Sequence, residues 1–291
     1  MLRKKLLLLT ASIFFLAILA LTIKVSADSA TGEVAVNNAA PSVGTVYLSD
    51  SDGSNIQLTA SSNTNLVICN ATLTDNNGYT DIESAAATFY HSGSSSGASD
   101  DKNAHYSNSS CALSGGSGTT VLATCTVNVE HEALPGTWTC NITTTDGTAS
   151  ASGNGDGTMD SLAALEVTEA SINFGALGLG VNSTSAQSIT VTNEGNVQID
   201  SRFSGTDYSC GIGTIPAGNT RYHLSTGSYD DMSTDLTTSP TTQESFDLGI
   251  EGVATADDAA SAKNEYWAIK LPATGVGGSC SNTVAVTAIS G

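Results

Sequence analysis

The run Pro135-Gly136-Thr137-Trp138-Thr139-Cys140 places a large aromatic two residues before a cysteine, and a glycine two residues before that. Such an entry belongs to a strand that carries its cysteine into the core of a two-sheet β-sandwich. Five further cysteines, at 69, 111, 125, 210 and 280, make an even total of six. In an exported chain an even set is expected to be fully oxidised. Four lie between 69 and 140 and two at 210 and 280, so each half of the chain holds its own. No pair has the C-x-x-C spacing of zinc sites, which argues against a metal role for the thiols.

Export is expected from the N-terminus. Arg3, Lys4 and Lys5 precede an uncharged apolar run from Leu6 to Ile23, followed by Lys24 and Val25-Ser26-Ala27. That is the layout of a secretory signal peptide over residues 1–27, with cleavage after Ala27. The apolar run is also close to the roughly 20 residues that span a bilayer, so an uncleaved anchor is the alternative, and the only route to a membrane. Residues 1–27 hold four of the nine basic residues and no acidic one, leaving 28 acidic against 5 basic and a net charge of −23. A surface so negative repels phosphate backbones and argues against nucleic-acid binding. It keeps the protein soluble or attracts cations.

Residues 28–41 read as a linker ending at Asn37-Asn38-Ala39-Ala40-Pro41. From there short runs of period two alternate with turn clusters, the pattern of an all-β chain. Val46 to Leu48 and Ile56 to Leu58 are strand-like. Val67, Cys69, Ala71 and Leu73 share one face, as do Ala85, Ala87 and Phe89, and Val121, Ala123, Cys125, Val127 and Val129. His91 to Ser110 is Ser-, Gly- and Asp-rich and reads as a long solvated loop. Thr148 to Gly157 reads as a Gly/Ser/Asp crossover, and Met159 to Val167 as the last strand of a first unit spanning 42–165. A second unit, 166–291, has strand-like segments at 188–191, 197–203, 222–225, 246–250, 266–271 and 283–289, with Asn193-Glu194-Gly195-Asn196 as a tight turn. Trp267, Ile269 and Leu271 form an apolar face expected to pack with Cys280, Val284, Val286 and Ala288 on the neighbouring strand. Asp257 to Lys263 has room for one helical turn.

The first unit resembles the immunoglobulin-like repeats of archaeal exported cell-surface proteins. The resemblance rests on N-x-A-P (Asn38 to Pro41), a cysteine followed by Asp-x-Asn-Gly (Cys69, Asp75, Asn77, Gly78), and G-x-W-x-C (Gly136, Trp138, Cys140). The second unit resembles Ig-like modules with F-G-x-L-x-L-G and N-x-G-N, here Phe174 to Gly180 and Asn193 to Asn196. The resemblance implies two tandem Ig-like β-sandwiches after a signal peptide, and a location more than an activity. It also implies a bridge between the second and sixth strands, Cys69 with Cys140. With the grouping above, the favoured remainder is Cys111 with Cys125 and Cys210 with Cys280. Loop-closure entropy gives a bridge across about 70 residues roughly 4 kcal/mol, and one across about 15 residues roughly 3. In this chain Trp138 stands where the tyrosine-corner residue of an antibody domain would stand.

Four N-x-[ST] acceptors mark Asn70, Asn108, Asn141 and Asn182 as glycosylation candidates. Asp75, Asn77 and Asp81, and again Asn154, Asp156 and Asp160, cluster oxygen side chains around turns; calcium is the one cofactor they suggest. The same residues also serve simply as turn formers. The histidines, His91, His105, His131 and His223, lack metal or triad spacing, and no G-x-S-x-G occurs. No catalytic residue is assigned and a non-enzymatic protein is expected. In the long loop, Asp100, Asp101, His105 and Tyr106 are the candidate contact residues. The expectation is a secreted, extracellular structural or adhesive component whose partners are other surface proteins, glycans or further copies of itself. Alternatives are a fibre subunit assembling by strand addition, with 28–40 as the added strand, and a surface glycan-binding module.

Overall fold

The computed structural model describes residues 31–50, 53, 55–60, 64–253 and 260–291. The signal-peptide segment and the first three residues, 257–259, of the suggested helical turn at 257–263 lie outside the described residues. Two compact units are present: one runs to Asn37 and the other from Asn38 to Gly291. In the first, residues 31–37 carry no regular structure, and Val34 and Val36 are exposed. Among the described residues the second holds every strand, and every ladder between them is antiparallel.

Its N-terminal sandwich is built from β1 (Ser42–Ser49), β2 (Asn65–Thr74), β3 (Ser84–His91), β4 (His105–Asn108), β5 (Ala112–Ser117), β6 (Thr120–Val129), β7 (Gly136–Thr145) and β8 (Ser150–Met159). One sheet has the order β1-β2-β6-β5 and the other β4-β3-β7-β8. This is the Ig-like arrangement of two four-stranded sheets. The inward residues of β2, Val67, Cys69, Ala71 and Leu73, are all buried, as their alternation requires. Cys69 on β2 is bonded to Cys140 on β7 across the core. Trp138 is fully buried, stacks on Phe89 at 4.5 Å, and donates its Nε1–H to Leu134 O at 2.7 Å. That backward bond to the chain four residues upstream does the work of a tyrosine corner with an indole. A second bridge, Cys111–Cys125, fastens the start of β5 to β6.

Three stretches differ from what the sequence led one to expect. Thr148 to Gly157 is no crossover: residues 150–159 form β8, in unbroken ten-residue register with β7. Glycine's low strand propensity hid it, and packing explains it. Gly153, Gly155 and Gly157 share one face of β8, against Val43, Val46 and Leu48 of β1; a Cβ on Gly155 would lie 2.1 Å from Val46 O. The alternating glycines let the edge of one sheet lie on the edge of the other. Likewise His91 to Ser110 is not all loop, because β4 pairs residues 105–108 with 87–90 of β3. Ile56 makes a single parallel bridge to Met159 and no strand of its own.

The C-terminal sandwich comprises β9 (Leu165–Val167), β10 (Gln187–Asn193), β11 (Ile199–Gly205), β12 (Tyr208–Ile212), β13 (Thr214–Ile215), β14 (Thr220–His223), β15 (Thr234–Asp235), β16 (Thr241–Leu248), β17 (Ala262–Ile269), β18 (Gly277–Ser281) and β19 (Val284–Ser290). A sheet of order β15-β14-β17-β10-β9 faces the sheet β16-β11-β19, and β13-β12-β18 forms a third. Phe203, Tyr222, Phe246 and Trp267 fill the core between the first two. Val284, Val286 and Ala288 do meet Trp267 there, but across the core: β19 pairs with β11 and not with β17. The third bridge joins Cys210 and Cys280, directly paired on β12 and β18. Ala262 and Lys263, where a helical turn was expected, begin β17.

The glycine face of β8 gives a direct test. Gly155→Ala is expected to lower stability by about 1–3 kcal/mol, because backbone cannot move aside as a flexible side chain would. Gly97→Ala, with nothing within 4 Å of the added carbon, is expected to leave the melting temperature unchanged. Thermal unfolding followed by circular dichroism distinguishes the two.

Candidate functional site

The contact residues expected in the long loop are occupied with the loop itself. His105 is buried on β4, with Nδ1 2.8 Å from Asp100 Oδ1. Ser107 Oγ donates to Asp100 Oδ2 at 2.7 Å. Burial raises the Asp100 pKa, but the hydrogen bonds from Ser107 and His105 outweigh it and hold the carboxyl below its ordinary value. Asp101 Oδ1 accepts the backbone N–H groups of Asn103 and Ala104, an Asx turn. Tyr106 donates to Lys102 O at 2.6 Å and accepts Glu130 N–H at 3.1 Å, and burial pushes its pKa up. The segment is thus a folded appendage of the sheet, with Asp100 and Asp101 exposed at its rim.

The first acidic cluster gains a member that sequence spacing did not reveal. Asp75 follows β2, Asp81 belongs to a single helical turn at Tyr79–Asp81, and Asp146 opens the β7–β8 turn. One carboxylate oxygen from each lies within 4.8 Å of the other two. Asp146, 71 residues from Asp75, could be found only by knowing that the β2–β3 and β7–β8 connections share one end of the sandwich. Two like unit charges about 5 Å apart repel by roughly 3 kcal/mol at an effective dielectric near 20. Hydrogen bonds from Ala149, Asn38 and Thr148 lower the Asp146 pKa. Asn77 Oδ1 accepts Ala39 N–H at 2.6 Å. The second cluster is spread along one strand and its extension. Asn154 accepts a short hydrogen bond from Asn141, Asp156 accepts from Thr139 at 2.7 Å, and Asp160 accepts from Asn55 at 3.1 Å. Each is used in a separate hydrogen bond to a neighbouring segment.

A third concentration of polar groups sits between the two sandwiches. Asn196 is fully buried; its Nδ2 donates to Ala133 O at 2.9 Å and Asp160 O at 3.0 Å, and its Oδ1 accepts Leu162 N–H at 2.6 Å. Asn103 Nδ2 bonds Glu132 O and Glu251 O, both at 3.0 Å. Lys102 reaches Glu132 at 3.1 Å and Glu251 at 2.6 Å. Burial alone would lower its pKa, but hydrogen bonds to Glu251 and Glu132 raise it. His131 lies between Glu132 at 3.3 Å and Glu194 at 3.4 Å. The sequence marked Asn193 to Asn196 as a turn; its use as a socket was not legible. Gly195 is needed there because a Cβ would come 2.1 Å from Leu162 O.

Of the glycosylation candidates, Asn108, Asn141 and Asn182 donate through Nδ2 to Thr126 O, Asn154 Oδ1 and Asp230 Oδ2. Asn70 is half-buried on β2, next to inward-facing Cys69. The C-terminal sandwich contains a partly open cavity of about 860 Å³ with a mixed lining, Ile172, Phe174 and Trp267 beside Glu169, Asn173 and Asn282. Among the described residues no helix is long and apolar enough to cross a membrane.

No protein-family model matches the chain, and no curated protein does. Among solved structures, the C-terminal domain of the AgI/II polypeptide BspA of Streptococcus agalactiae is similar over 85% of this chain and 99% of its own, at 11% identity and a TM-score of 0.18. At that score the likeness carries no argument.

Glu265 is a titratable group that the sequence did not single out. It is fully buried on the same face of β17 as Trp267, neither carboxylate oxygen has a hydrogen-bond partner, and burial pushes its pKa up to about 8. The folded protein keeps a proton that the unfolded chain releases above 4.5, so the stability present below that pH is lost progressively as pH rises through about 8. Unfolding free energy is expected to fall by a few kcal/mol over that window in denaturant titrations. Glu265→Gln is expected to remove that part of the pH dependence, and an unaltered slope would show that the group is ionised in the core.

Proposed function

We propose that the chain is a non-enzymatic component of an exported surface, structural or adhesive, with other surface proteins or glycans as its partners. The observation that carries this reading is the placement of the three disulfides. Cys69–Cys140 joins the two sheets of the first sandwich, Cys111–Cys125 fastens its edge strand, and Cys210–Cys280 ties β12 to β18 in the second. No cysteine is free among the described residues. Disulfides persist in oxidising compartments, where they hold small β-sandwiches against unfolding. The polar groups described above are largely committed to internal bonds, which favours a durable scaffold over a reactive cleft.

A second reading, the fibre subunit, is favoured by the open cavity beside β19 in the C-terminal sandwich, which Val284 and Val286 help to line. The inward residues of β19, Val284, Val286 and Ala288, are only half-buried, and β19 is an edge strand. An extended segment with alternating valines, such as that carrying Val34 and Val36, is the kind of strand an edge accepts. Antibody labelling of intact cells is expected to detect the protein without lysis, and labelling only after lysis would overturn the surface reading. Negative-stain electron microscopy of the purified chain is expected to show dispersed particles. Regular filaments would replace the adhesive reading with the fibre one.

A further inference from the structure

We propose that the end of the first sandwich where the β2–β3 and β7–β8 connections meet is a binding site for a divalent cation of hard oxygen chemistry, calcium, held by Asp75, Asp81 and Asp146. Geometry comes first. The three carboxylates supply one oxygen each within 4.8 Å of one another. Calcium bonds oxygen at about 2.3–2.6 Å, so ligands on one ion lie at most about 5 Å apart, and a single ion can touch all three. They come from separate connections, so the ion would tie loops that the sandwich only places near each other.

Asp75 supplies the independent reason to expect a ligand. Its side chain is fully buried, Oδ1 accepts Asn77 N–H at 2.8 Å, and Oδ2 has no hydrogen-bond partner. A buried carboxylate oxygen without a donor is costly and uncommon in a native fold. Among the described residues no ion pair joins Asp75, Asp81 or Asp146 to a basic side chain. Lys102 is the sole Lys or Arg between Val25 and Ser201, and it is committed to Glu132 and Glu251 at the junction between the sandwiches. The site therefore draws its counter-charge from solvent.

Neighbouring groups shape the site. Asn38 Nδ2 donates to Asp146 Oδ2 at 2.8 Å, and Asn77 Oδ1 holds Ala39 N–H, so Asn77 positions the chain entering β1 and is not assigned as a ligand. Thr148 and Ala149 N–H groups bond Asp146 Oδ1 and fix its turn. Glu83 Oε2 lies against that turn, 2.7 Å from where a Cβ on Gly147 would stand, but it is not one of the three clustered carboxylates. All the donors are oxygens, which selects against zinc and copper. Their origin in separate loops suits calcium's loose geometry better than the strict octahedron of magnesium.

The test is isothermal titration of calcium chloride into the chelator-treated full chain, with thermal unfolding in parallel. One ion per chain is expected, with a dissociation constant of about 10⁻⁴–10⁻³ M, the range of extracellular modules. The melting temperature is expected to rise in millimolar calcium and to return with chelator. Asp81→Asn is expected to weaken binding at least about tenfold and abolish the rise. Asp146→Asn, which keeps an acceptor for Thr148 and Ala149, is expected to do the same. Asp156→Asn, whose carboxylate pairs with Thr139, is expected to bind as the unaltered chain does. Absence of calcium heat and of any melting shift in the unaltered chain would overturn the site. So would unchanged affinity in both Asp81→Asn and Asp146→Asn, and equal affinity for magnesium would overturn the assignment to calcium.

Discussion

The buried side chain of Asn196 decides how the two sandwiches are joined. It takes up two backbone carbonyls of the first sandwich and its exit, Ala133 O and Asp160 O, and returns a bond to Leu162 N–H. Any of these left unpaired at a dry joint would cost about 1–3 kcal/mol. The joint therefore has one favourable seating. Asn103 repeats the device from the other side, and Lys102 spans Glu132 and Glu251 beside it. Residues 38–291 are accordingly one compact unit around more than one core.

Charge makes that joint more significant. A chain with 28 acidic residues and nine basic ones repels itself, and the repulsion favours separating its halves. The junction is where one of the few lysines has been placed, bracketed by carboxylates from both sandwiches. Local hydrogen bonding handles much of the remaining negative charge, as at Asp100, Asp101 and Asp146.

What the sequence disclosed followed from period-two burial. The inward faces of β2, β3 and β6 and the entry at Trp138 and Cys140 were legible because alternating apolar residues can only point one way. β8 was not legible, because Gly153, Gly155 and Gly157 serve close approach to β1, and the partner that makes them favourable lies more than a hundred residues away. β4 was hidden by polar residues that satisfy one another locally. Of the acidic clusters, Asp75 and Asp81 were visible as neighbours, while Asp146 joins them only through the fold. Glu265 was invisible for a different reason. It lies on the inward face of Trp267 and Ile269, but the strand was read as starting at Tyr266, one residue short of it.

Two disulfide-stapled sandwiches behave as one body because buried amides close the joint. Differential scanning calorimetry of the oxidised chain tests it most directly. A single transition is expected, with the calorimetric enthalpy equal to the van't Hoff value, as for a cooperative unit. Two separable transitions, or a calorimetric enthalpy near twice the van't Hoff value, would show instead that the sandwiches unfold independently.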